Sequence, residues 1–207
     1  MTESLSATRT RAWRVWLFNP FHYVAGGTAL VAGLLIIVVT SLNGALSHSH
    51  FDGVLDFHTG AAAPWWVYVA EGLIDWLVMG VLAYAAGRIV SASQFRAVDV
   101  FGTQALARTP ALTMPVAAML PGFQRQTERF VTMNPEIHVG DVMQFAAGIV
   151  GILVALIWMV LLMYRAFSVS CNAKGTRAVV AFIVALLVAE GVSKGAIAVM
   201  LNAVIAQ

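Results

Sequence analysis

Hydrophobic positions along this chain come in long blocks, not in alternation. Apolar residues dominate from about Tyr23 to Leu46, Trp66 to Gly87, Val98 to Leu120, Val142 to Tyr164 and Ala178 to Ile205. A helix needs about 20 residues to cross the hydrocarbon of a bilayer, so apolar runs of this length read as membrane spans. The pattern predicts an all-α fold: a polytopic membrane protein with a bundle of five transmembrane helices, forming one domain over residues 1–207. The third block is the weakest, because Arg108, Pro110 and Pro115 interrupt it. The fifth is longer than a straight crossing requires and predicts a tilted helix. Before the first block, Trp13, Trp16, Phe18, Phe21 and Tyr23 form an interfacial aromatic belt. They predict a short N-terminal helix within residues 1–22, lying in the headgroups and stopped by Asn19-Pro20.

Composition narrows the class. Sixty per cent of the residues are apolar, 11% are charged and the mean hydropathy is +0.83. That charged fraction is about half of what soluble domains carry, which excludes a soluble enzyme, a disordered chain and a coiled coil. One cysteine excludes an intramolecular disulfide and a Cys-based zinc finger. A net charge of +2 is too small for a nucleic-acid-binding protein.

The placement of the charges says more. Arg9, Arg11 and Arg14 precede the first block, Arg88 and Arg96 follow the second, and Arg165, Lys174 and Arg177 follow the fourth. With five crossings these eight of the twelve positive charges share one side, while the other side has Arg125 and Arg129. Positive residues mark the cytoplasmic side. The expected location is therefore the cell inner membrane, with the N-terminus cytoplasmic and the C-terminus outside. The apolar run after the first arginines is too long for the 7–15-residue core of a signal peptide. Small residues recur every four positions at Ala25, Ala29, Gly33, at Ala147, Gly151, Ala155, and at Ala181, Ala185, Ala189, Ser193. Such ridges let helices pack closely in lipid, within one chain or between the copies of a homo-oligomer.

Several local patterns resemble the bacterial branch of the Yip1 family. They are Phe18-Asn19-Pro20-Phe21-His22-Tyr23, His50-Phe51-Asp52-Gly53-Val54-Leu55-Asp56-Phe57-His58, Gly102-Thr103-Gln104-Ala105-Leu106-Ala107-Arg108, and Asn172-Ala173-Lys174-Gly175 with Ala189-Glu190. The resemblance implies five transmembrane helices and a cytoplasmic N-terminus, in agreement with the arginine count. Eukaryotic relatives act in vesicle traffic with small GTPases, a pathway bacteria lack, so that function does not carry over.

Candidate chemistry gathers on the expected outer side. The first outer loop holds His48, His50, Asp52, Asp56 and His58, with no Lys or Arg nearby. Imidazole and carboxylate are ligands for zinc and other first-row divalent ions, and Gly53 permits the chain to turn around one. The competing reading is a solvated polar loop. Glu71 and Asp75 are four apart in the second block and share a helix face. Two such carboxylates in a low dielectric need a proton or a cation, unless both reach the interface. Together these seven residues form the expected metal set. Arg108, Glu190 and Lys194 form an expected buried polar cluster. Either Glu190 pairs with Lys194 along one helix, or Lys194 faces Glu71 or Asp75 while Glu190 faces Arg108. On the same outer side Glu136, His138 and Asp141 complete a metal shell, or Asp141 caps a helix. Residues 121–133 read as a surface amphipathic helix ended by Asn134-Pro135. Gly191-Val192-Ser193-Lys194-Gly195 matches a nucleophile-elbow pattern, but that pattern needs a strand-turn-helix context. No catalytic constellation is recognisable, so no enzyme activity is expected.

Two functions follow. One is a membrane protein with a divalent-metal or proton-responsive site on its outer face, acting as a small carrier or sensor. The other is a non-transporting scaffold that organises the membrane. Both require the predicted orientation. A membrane-impermeant thiol reagent should label a cysteine placed at Gly60 in intact cells and leave one placed at Ser93 unlabelled; the reverse pattern would overturn the orientation.

Overall fold

The computed structural model describes residues 13–133 and 136–205. Arg9 and Arg11, and the stop signal Asn134-Pro135, lie outside the described residues. The order of elements is α1 (Gly26–Ser47), β1 (Ser49–His50), β2 (His58–Thr59), α2 (Trp65–Val90), α3 (Ala97–Leu106), a 3-10 turn (Thr109–Leu112), α4 (Thr113–Ala118), α5 (Pro121–Thr132), α6 (Val139–Ser170) and α7 (Gly175–Ile205). The fold is all-helical apart from one two-residue antiparallel ladder that pairs Ser49 with Thr59 and His50 with His58. Four helices are long and apolar enough to cross a membrane: α1, α2, α6 and α7.

The third apolar block is not one helix. It is divided into α3, the 3-10 turn and α4, with Pro110 in the turn and Pro115 inside α4. Proline lacks the N–H that continues a helical ladder. The divided segment still runs the length of α6. At one end the Ser170 hydroxyl donates to the Asp99 carbonyl, and at the other a Cβ on Gly148 of α6 would lie 3.5 Å from the Ala117 carbonyl oxygen.

Packing follows the small residues. A Cβ on Gly33 would lie 2.5 Å from the Ala105 backbone, and one on Gly102 would lie 2.5 Å from the Gly26 carbonyl oxygen. So α1 and α3 touch backbone to backbone along the Ala29–Gly33 ridge. The Ala185, Ala189 and Ser193 ridge is buried too, on the side of α7 that faces α2. The third ridge behaves differently: Ala147 and Gly151 are exposed, and Gly148 meets Phe123 instead.

Helix α2 is central, touching α1, α3 and α7. Its buried positions repeat every three or four residues as Tyr68, Glu71, Gly72, Asp75, Met79 and Ala83, so both of its carboxylates face the interior. The N-terminal belt is split. Residues 13–18 are helical with Trp13, Trp16 and Phe18 exposed, and the Trp158 indole donates to the Leu17 carbonyl at 2.9 Å. The 3-10 turn at Pro20–His22 then folds Phe21 into the core, where it is 2% exposed. The expectation that Phe21 belongs to the surface belt is corrected.

The α1–α3 contact gives a direct test. Gly33→Ala should destabilise the protein by about 1–3 kcal/mol, the ordinary cost of overpacking. Gly27→Ala meets nothing within 4 Å and should leave the melting temperature near that of the wild type. Equal effects would show that the two helices are not held at backbone contact.

Candidate functional site

The loop between α1 and α2 was expected to be a solvated or metal-binding segment; part of it, Phe51, Gly53 and Val54, is buried in the core. Its sequence alternates: Phe51, Val54, Leu55 and Phe57 between Asp52, Asp56 and His58. Phe51 is 6% and Val54 1% exposed. The chain leaves α1 through His48 in the left-handed conformation, forms β1, dips into the bundle over residues 51–57 and returns through β2. A dipping loop carries backbone N–H groups that need acceptors. Two helix carboxylates supply them. Glu71 Oε2 accepts the Phe51 N–H at 3.3 Å, and Glu190 Oε2 accepts the Leu55 N–H at 2.7 Å. Gly53 is required at the closest approach, because a Cβ there would lie 2.6 Å from Glu190 Oε1.

Around Glu71 the contacts are tighter still. Its Oε1 lies 2.9 Å from His50 Nδ1, while His50 Nε2 lies 2.9 Å from the Ala61 carbonyl oxygen. The imidazole stacks on the Tyr68 ring at 4.5 Å between centroids. The Tyr68 hydroxyl accepts the Ala63 N–H at 3.1 Å, which ties down the segment that carries Ala61. Glu71 is 1% exposed. The hydrogen bond to Glu71 lifts the His50 pKa above the ordinary 6.5; burial opposes it, and the Ala61 carbonyl and the Asp52 charge add to it.

The seven-residue metal set does not assemble around one point. Asp52, Asp56 and His58 come together, with potential ligand atoms within 4.8 Å of one another. His58 Nδ1 lies 3.5 Å from Asp52 and 3.8 Å from Asp56. His50 and Glu71 are engaged with each other. Asp75 is deeper in α2 and belongs to Arg108. His48, turned away by its left-handed backbone, faces Gln124 and Glu128 across a separate cleft. A cation is already present at the Asp52–Asp56–His58 group: the Lys194 ammonium lies 2.5 Å from Asp56 and 3.3 Å from Glu190. Lys194 therefore reaches the loop and is half-exposed, not part of a buried cluster. Its partners are Glu190 on its own helix and Asp56 from the loop.

Arg108 is 4% exposed, and its nearest carboxylate is Asp75 at 3.8 Å, not Glu190. The expected cluster of Arg108, Glu190 and Lys194 thus divides into two pairings at different depths. Neither Asp75 oxygen has a hydrogen-bond partner among the described residues, and Arg108 Nη2 has none either. The Ser193 hydroxyl lies beside Asp75 but is turned onto the Glu190 carbonyl at 3.3 Å. A cavity of about 10 Å³ borders Arg108, Thr40, Ser41 and Gly72, roughly the space of one water molecule.

The last expected ligands are also used otherwise. Asp141 is not a helix cap, since His138 occupies that position. Its carboxylate bridges Arg125 at 2.6 Å and Arg129 at 2.8 Å, fastening α5 to the start of α6. His138 and Glu136 lie 4.0 Å apart beside it. At the opposite end of the bundle, burial pushes the Cys171 thiol up to about 12, so it stays protonated and unreactive at neutral pH.

No family model, curated protein or solved structure matches this chain.

The pairing of Arg108 is measurable. Asp75→Asn should cost roughly 3–5 kcal/mol by leaving a buried charge uncompensated, and adding Arg108→Met should recover part of that loss. The same cycle between Glu190 and Arg108 should give a smaller coupling. Additive losses at Asp75 and Arg108, measured by unfolding in detergent, would show that they are not partners.

Proposed function

We propose that this is a five-crossing protein of a bacterial inner membrane, akin to the Yip1 family, whose outer loop is held by a proton-dependent clasp. On this reading it senses protons and is neither an enzyme nor a solute carrier. The divided segment from α3 to α4 counts as the fifth crossing, residues 13–18 as the interfacial helix, and the arginine distribution puts the loop outside.

One observation carries the reading: His50 stands between two acceptors. A neutral imidazole has one N–H and one lone pair. Here Nε2 faces a carbonyl oxygen and Nδ1 faces a carboxylate oxygen, so a neutral ring beside an ionised Glu71 leaves two lone pairs in opposition. The pair is satisfied when it holds one more proton, as imidazolium with carboxylate or as imidazole with carboxylic acid. A charge-assisted bond of this kind contributes about 1.5–3 kcal/mol. Besides Glu71, the titratable groups facing His50 are Asp52, His58 and Tyr68.

The sign follows from linkage. Unfolded, His50 titrates near 6.5; folded, it titrates higher. The stabilisation is full below about 6.5 and is lost as pH rises through the folded value. Loss of the proton loosens the segment at Ala61, while the Phe51 and Leu55 N–H groups keep their carboxylate acceptors. Sensing is favoured over transport because the polar groups crowd one end, whereas Met79, Ala83, Met163 and Phe167 are fully buried towards the other.

Melting temperature against pH tests the clasp. The wild type should lose stability as pH rises above about 6.5. Glu71→Gln should flatten that dependence, since an amide can donate to a neutral imidazole, and His50→Gln should flatten it too. A divalent ion held by Asp52, Asp56 and His58 demands the opposite: zinc should stabilise the wild type increasingly as pH rises. That outcome, or an unchanged pH profile in both variants, rejects the clasp.

A further inference from the structure

We propose that the groove between α2 and α7, at the end of the bundle away from the hairpin, binds one anionic phospholipid. The site rests on the membrane reading above and not on the proton clasp.

The two helices run antiparallel. Helix α2 starts beside the hairpin and ends at Val90, whereas α7 starts at Gly175 and meets the loop at Glu190. Between them lies a groove of about 330 Å³ whose lining side chains are all apolar. Leu82, Ile89, Val184 and Val188 border it, and alanines of both helices leave it hollow. Ala85, Ile89, Val184 and Val188 are exposed, so the groove opens on the outside of the bundle. On the membrane reading that outside is hydrocarbon. An empty depression there forfeits the dispersion contacts of its walls, and an acyl chain restores them. From Arg177 to Val188 is eleven residues, about 16 Å at 1.5 Å per residue. That is the depth of one leaflet of a hydrocarbon core about 30 Å thick.

Charge selects the head. Arg177 is four residues before Ala181 and Arg88 is three after Ala85, so each stands on its helix next to the face that lines the groove. Both are exposed, and neither makes an ion pair or hydrogen bond with another described residue. Lys174, just before α7, is in the same state. Asp99 is the one described carboxylate at this end, and Arg96 holds both of its oxygens at 2.9 Å. The mouth of the groove therefore has a guanidinium on each lip and no carboxylate to neutralise them. Arginine donates to phosphate in pairs of hydrogen bonds. A zwitterionic head would bring its own ammonium against these cations, whereas an anionic head brings none, which favours the anionic lipid.

Native mass spectrometry of the delipidated full chain tests the site, with phosphatidylglycerol and phosphatidylethanolamine of the same acyl chains as probes. The wild type should retain phosphatidylglycerol about tenfold more, the scale of two cations at a membrane surface. The double variant Arg88→Gln/Arg177→Gln should abolish the preference. Arg165→Gln removes an exposed cation of α6 that is outside the groove, and it should keep the preference. Ala85→Trp, which fills the groove, should weaken retention of both lipids. Melting curves establish that the variants are folded. Equal retention by the wild type, a preference that survives the double variant, or its loss in Arg165→Gln would each overturn the site. Retention unaffected by Ala85→Trp would overturn it too, as would a delipidated dimer that Ala85→Trp dissociates, since a second copy would then occupy the groove. His50→Gln removes the clasp and should keep the preference. Extraction of the chain from membranes by alkaline carbonate would instead overturn the membrane reading itself.

Discussion

A carboxylate inside an apolar bundle has to be satisfied, and the hairpin end of this structure is organised around that requirement. Burying an ionised group without partners costs several kcal/mol or more, and the cost applies to every carboxylate within a span. Glu71 and Glu190 meet it in the same way, by accepting backbone N–H groups from a loop that has left the surface. The loop in turn needs acceptors for its own N–H groups once it leaves water. Each solves the other's problem, and so the segment between α1 and α2 is anchored to two helices, with Phe51 and Val54 in the core.

The remaining charges follow from that arrangement. Lys194 reaches from α7 to the loop and neutralises Glu190 and Asp56 together. His50 adds a positive charge at Glu71 when protonated. Arg108 is left for Asp75, deeper and without hydrogen bonds between them. Five carboxylates, Asp52, Asp56, Glu71, Asp75 and Glu190, thus face Arg108, Lys194 and two imidazoles, His50 and His58. Histidine is the residue type whose ordinary pKa lies within reach of physiological pH, and of these two imidazoles His50 is the one with an acceptor at each ring nitrogen.

Much of the fold was legible in the sequence because apolar block length is a direct consequence of bilayer thickness and helix rise. Four of the five expected blocks are continuous helices, and Pro110 with Pro115 marked the one that is divided. The small-residue ridges of the first and fifth blocks also pack as expected, since close approach depends on side-chain volume alone. The site was less legible. His48, His50, Asp52, Asp56 and His58 were read as one constellation because they are close in sequence. Their division depends on a left-handed turn at His48 and on a ladder pairing His50 with His58, neither of which spacing encodes. The missed signal was present: Phe51, Val54, Leu55 and Phe57 are too apolar for a solvated loop. The choice of Asp75 over Glu190 as the partner of Arg108 required knowing which faces of α2 and α7 meet the divided segment.

The hairpin end also limits what the clasp can do. The Ala61 carbonyl holds His50, and a Cβ on Gly60 would come within 3.1 Å of the His50 ring, so this segment cannot move without disturbing the imidazole. On the proposed reading, loss of the proton loosens that segment while Phe51 and Leu55 stay anchored to the helices. A sensor built this way needs no route through the bundle, because its output is the shape of its own rim.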